Sequence, residues 1–128
     1  MPPAPARRAV PFAERAGPIL RSSTTMGARL GFTATPAHGN GRGAVHGGML
    51  ATLLDEAMGQ LVEDVAGVPG ATVELGVSFL AGVPADGVVT AEAEITRLGR
   101  SLVFAEATVF DSAGQLAARG RGVFKLLR

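Results

Sequence analysis

The residues best suited to chemistry lie in one run, Asn40-Gly41-Arg42-Gly43-Ala44-Val45-His46-Gly47-Gly48, and in an aspartate that follows it, Asp55. A glycine-rich loop feeding directly into a helix leaves the first backbone N–H groups without internal partners, at the positive end of the helix dipole. Gly47 and Gly48 carry no Cβ, so a ligand can come close to those amides. Such an arrangement suits an oxyanion forming on a carbonyl and equally a phosphate. A tight turn that needs glycine for its dihedrals accounts for the same residues without any ligand.

Asp55 is the second candidate. On a helix that advances about 100° per residue, it falls about 140° from Leu50, at the edge of an apolar face formed by Leu50, Leu54, Met58 and Val62. Glu56 and Glu63 fall on a polar face instead. A carboxylate at such an edge is partly desolvated, which strengthens it as a base, and it has open space beside it. The alternative role is a hydrogen bond to a neighbouring loop. His46 stands at the helix start and His38 in the loop before it; neither has a partner at metal-ligand spacing, so no metal site is expected. His46 is read as a cap or a brace for the loop rather than a base. No G-x-S-x-G elbow is present, and the absence of cysteine removes thiolate nucleophiles, thiolate metal sites and disulfides.

These residues must be positioned by a small set of elements. The 128 residues fit one domain, and an apolar content of 47% is enough for a core. Residues 1–20, rich in proline and arginine at the start, read as a flexible or partly helical lead; 21–128 read as the domain. From Thr24 to Thr33 the sequence alternates, with Met26, Ala28, Leu30 and Phe32 on one face, as a half-buried strand does. From His46 to about Ala66, Leu50, Leu54, Ala57, Met58, Leu61 and Val65 recur at helical spacing, and Gly67, Pro69 and Gly70 end the helix. Strands follow at 73–79, 89–96, 102–110 and 115–127, the last two joined by a hairpin turn at Asp111-Ser112-Ala113-Gly114. One helix and five strands make an α+β domain with an antiparallel sheet. A single helix covers one sheet face, and Ala105 and Ala107, read as lying on the second face, point to a partner and hence an oligomer.

With its elements in place, the sequence resembles the hotdog-fold thioesterases of the 4-hydroxybenzoyl-CoA thioesterase superfamily, in particular their phenylacetate-pathway branch. The shared pattern is N-x-x-G-x-x-H-G-G with an aspartate nine residues after the histidine, here Asn40, Gly43, His46, Gly47, Gly48 and Asp55. It continues through TVELGVSFL, RLGRSLVFAEATVFD and GQLAARGRGVF, covering about residues 24–126. The resemblance implies a hotdog fold, in which a five-stranded antiparallel sheet wraps a long central helix. It also implies hydrolysis of an aryl- or small to medium acyl-coenzyme A to free acid and coenzyme A, without a cofactor.

It assigns Asp55 as general base or nucleophile, and the Gly47 amide as the group that polarises the thioester carbonyl. Asn40 would place water or the thioester, His46 would hold the loop, and Thr72 would position water or substrate. Gly48 would contact the substrate, and Gly99, Arg100 and Ser101 would lie at the coenzyme A phosphates. In such proteins the site spans two copies of the chain, commonly within a dimer of dimers, so a homotetramer is implied.

Two rivals from other classes remain: an acyl-CoA-binding hotdog module without catalysis, and a hotdog dehydratase or hydratase working through a histidine. A net charge of +1 gives no reason to expect nucleic acid as a partner. No apolar run reaches the roughly 18 residues of a membrane helix, and no secretory h-region opens the chain, so a cytoplasmic location is expected.

Overall fold

The computed structural model describes residues 4–5, 12, 20–23 and 27–128. Its elements are β1 (Ala4–Pro5), β2 (Leu20–Ser23), β3 (Gly27–Ala34), a 3-10 turn at Pro36–His38, α1 (Gly47–Ala66), β4 (Gly70–Phe79), β5 (Gly87–Leu98), β6 (Leu102–Phe110) and β7 (Leu116–Leu126). Every neighbouring strand pair is antiparallel, in the order β1-β2-β3-β5-β6-β7-β4. The five expected strands are β3 to β7, and two short strands extend the sheet beyond β3. Most of the expected lead over 1–20, and residues 24–26 of the first expected strand, lie outside the described residues.

The sheet wraps α1. Leu53, Leu54, Ala57, Met58 and Val62 are fully buried against inward residues such as Leu30, Phe32, Val89, Val103, Val109 and Phe124. The helix ends at Gly67, whose left-handed φ of 77° lets its N–H reach the Glu63 carbonyl. Val65, expected on the apolar stripe, is exposed in the last turn of the helix.

Two expectations about faces need correction. Ala105 and Ala107 do not lie on the second face: they are 1% and 2% exposed, in step with Val103 and Val109 beneath the helix. Strand alternation fixes this, since all four positions share one parity. These alanines therefore give no argument for a partner. The exposed apolar side chains that do call for one lie along the edge strand β4 and just past it, with Val73, Phe79 and Leu80 more than half exposed and Leu75 37% exposed.

The second correction concerns β4. Thr72 pairs with Phe124 but Glu74 pairs with Val123, so Val73 is an extra residue in a bulge. Thr72 sits opposite an inward residue and faces the helix, as Leu75 and Val77 do beyond the bulge. Plain alternation over 72–78 instead groups Thr72 with Glu74 and Gly76.

Candidate active site

The loop before α1 is a small hairpin. The Asn40 N–H donates to the Ala44 carbonyl at 2.8 Å, and Gly41 and Gly43 take positive φ values of 86° and 83°. Only glycine adopts such values without strain. The hairpin is tied to the segment before β5 by Val45 N–H to the Val83 carbonyl (2.7 Å) and Ala85 N–H to the Gly43 carbonyl (3.1 Å). The Asn40 side chain bends back on its own loop, its Oδ1 accepting from the Arg42 N–H at 2.8 Å. That oxygen closes an Asx turn, which leaves its second lone pair and the amide NH2 end of Asn40 for a substrate or a water.

His46 caps the helix. Its Nδ1 accepts from the Gly48 N–H at 2.9 Å, and its own N–H donates to the His38 carbonyl at 2.7 Å. Those two bonds tie the helix start to the preceding loop. That cap takes up the Gly48 N–H. Among the described residues nothing accepts from the Gly47 N–H, which remains the open donor at the helix start. Replacing His46 with alanine is expected to cost about 1 kcal/mol of stability, as loss of an N-cap does. A fall in the urea unfolding midpoint would show it; an unchanged midpoint would refute the capping role.

Asp55 is half-buried on α1, and the inward turn of Thr72 at the bulge brings the two together: Thr72 Oγ1 donates to Asp55 Oδ1 at 2.7 Å. That bond orients the carboxylate, and among the described residues Oδ2 accepts no side-chain hydrogen bond. Next to it, Glu56 is half-buried rather than solvated as the helical wheel implied. Burial pushes its carboxyl above the ordinary value, the Asp55 charge adds to the rise, and a hydrogen bond with Gln60 opposes it.

Gly47 and Asp55 do not meet within one chain. Eight residues of helix separate them, a rise of about 12 Å, too far for both to touch one carbonyl. They form two half-sites, each adjoining one end of β4. Asp55 bonds Thr72 near the start of the strand. A Cβ on Gly47 would lie 3.3 Å from the ring of Phe79 at its end. The sequence alone does not mark Phe79, which reads there only as one more apolar residue of a strand.

The third group, Gly99, Arg100 and Ser101, forms the β5–β6 turn. A Cβ at Gly99 would come 2.5 Å from the Leu102 carbonyl oxygen, so the turn requires glycine. An open groove of about 550 Å³ lies here, lined by Thr96, Arg97, Gly99, Arg100, Ser101, Leu102 and Phe104. Arg97 and Phe104 are lining residues that the sequence did not indicate. Among the described residues no group of three or more His, Asp or Glu side chains is placed to hold a metal ion. No helix among them is long and apolar enough to cross a membrane.

Comparison with known proteins agrees with the geometry. A family model described as the thioesterase superfamily matches residues 42–118. A Halobacterium salinarum protein provisionally named an esterase is 39% identical over 71% of this chain and 66% of its own length. Acyl-coenzyme A thioesterase 13 of Mus musculus is 30% identical over 66% of this chain and 61% of its own length. The matched stretch thus spans less than two thirds of the length of these curated relatives. A solved structure of a Bacillus halodurans protein with coenzyme A superposes with a TM-score of 0.72 at 32% identity, covering 77% of this chain and 70% of that one.

Proposed function

Since the chain belongs to the thioesterase superfamily, we propose that it hydrolyses acyl-coenzyme A thioesters at a site shared between two copies of the chain. The observation that carries the proposal is the pairing of Asp55 with Thr72, with the unpartnered Gly47 amide about 12 Å along the same helix. A second copy resolves that separation. β4 is an edge strand with exposed apolar residues, and antiparallel pairing with its counterpart brings the Thr72 end of one copy beside the Phe79 end of the other. Asp55 and Thr72 of one chain then face Gly47 of the partner subunit.

In this site the thioester carbonyl oxygen accepts from the Gly47 N–H at the helix start, where the dipole stabilises the developing oxyanion. Asp55, oriented by Thr72, acts at the carbonyl carbon, either by taking a proton from water or by attacking directly. The C–S bond breaks and coenzyme A leaves as the thiol. Single turnover in labelled water identifies direct attack when water opens the resulting anhydride at Asp55, which leaves label in that side chain; trapping the anhydride identifies it when water opens the acyl side. The Arg100 guanidinium, on the groove at the β5–β6 turn, suits the phosphates of coenzyme A. The homotetramer and the cytoplasmic location expected from the sequence belong to the same proposal.

The test is release of free thiol from a panel of aryl- and fatty-acyl-CoAs. Turnover of at least one substrate is expected. Binding of acyl-CoA with no turnover across the panel would replace the enzyme with a binding module.

A further inference from the structure

We propose that Phe79 is the residue that limits the bulk of the acyl group next to the reacting carbonyl. The inference rests on the reading of Gly47 as the carbonyl donor. The Phe79 ring packs against the start of α1, with Cζ, Cε1 and Cε2 between 3.3 and 3.8 Å from where a Gly47 Cβ would be. Glycine at this position lets the ring lie flush beside the one open amide of the helix start.

Internal packing does not explain the ring. It is 54% exposed, and Leu80 after it is 56% exposed. The backbone here is secured independently of the ring, by pairing of Phe79 with Ala118 and by the Leu80 N–H donating to the Ala117 carbonyl at 2.8 Å. A large aromatic face therefore stands open beside the donor. Antiparallel pairing of β4 with its counterpart points this end of the strand at Thr72 and Asp55 of the partner subunit. A carbonyl held between the Gly47 N–H and that carboxylate must direct one of its two substituents along the Phe79 ring. The thioester sulfur continues into the amide-bearing pantetheine arm of coenzyme A, whose amides need hydrogen-bond partners, and no charged or amide side chain flanks the ring in sequence: positions 77–82 read Val-Ser-Phe-Leu-Ala-Gly. The acyl carbon is the substituent that an apolar face suits.

Apolar pockets discriminate between acyl groups by size, at roughly tenfold or more for each methylene-sized change. Phe79→Ala is thus expected to raise kcat/KM for a bulky acyl-CoA, such as one branched at the carbon next to the carbonyl, relative to kcat/KM for acetyl-CoA, by roughly tenfold or more. Phe79→Tyr is expected to keep the native ratio. The ratio is measured on one preparation, so partial unfolding of a variant cancels, and a merely structural role would lower both values together. An unchanged ratio in Phe79→Ala, on an enzyme that still turns over, overturns the proposal and leaves the thioesterase reading standing. Absence of thiol release from the native protein overturns both.

Discussion

Asp55→Asn is expected to lower kcat for thiol release by on the order of a hundredfold or more, the loss that follows removal of an essential base, with acyl-CoA affinity little changed. Asparagine keeps the shape of the side chain and an Oδ1 that accepts from Thr72 Oγ1, so the 2.7 Å contact and the helix survive. It removes the charge and the basicity at the other atom. The loss therefore falls on the chemical step, and calorimetric titration with a substrate analogue separates it from binding. A fully active Asp55→Asn protein would show that another group attacks the carbonyl or activates the water.

Gly47→Pro is expected to lower kcat by on the order of a hundredfold to a thousandfold, the range for losing one oxyanion donor, with the fold intact. A backbone donor is hard to delete by mutation, but the first position of a helix is where proline is tolerated, and it removes only the N–H. Gly47 holds that position, and its N–H supports no bond within the described residues. The preceding residue, His46, has φ −59° and ψ 135°, in the extended region that proline prefers before it. The added ring meets Phe79, whose exposed side chain has room to shift by the few tenths of an ångström required. A kcat within severalfold of native, with an unchanged urea midpoint, would remove the Gly47 amide from the mechanism.

Much of this site was legible in the sequence, for identifiable reasons. The α1 stripe of Leu50, Leu54, Ala57, Met58 and Leu61 has the period of a helix packed on one side, and Asp55 sits at its edge, where it is half-buried. His46 before two glycines reads as a helix start and is one. The bulge at Val73 was not legible, because one extra residue leaves no compositional mark; it decides whether Thr72 faces Asp55 or solvent. The parity of β6 was ambiguous because LVFAEATVF carries apolar residues in both registers, and only its pairing with β5 and β7 settles which alanines lie under the helix. Phe79 was hidden because its position opposite Gly47 joins residues far apart in sequence through the turn of α1 into β4. Asn40 lies in the loop and Gly48 in the first turn of α1, where the Asn40 Oδ1 accepts from the Arg42 N–H and the His46 cap takes up the Gly48 N–H.

The central claim is that Asp55 of one copy and Gly47 of another act on the same carbonyl. Refolding Asp55→Asn and Gly47→Pro together in equal amounts tests it most directly, with thiol release compared against each variant alone. If the site is shared, random pairing makes half of the dimers mixed. Each mixed dimer holds one site with both groups intact, so about one quarter of native activity returns from two nearly inactive parents. If both groups act within one chain, every mixed dimer carries two damaged sites. The mixture would then release thiol no faster than the average of its parents, contradicting the shared site.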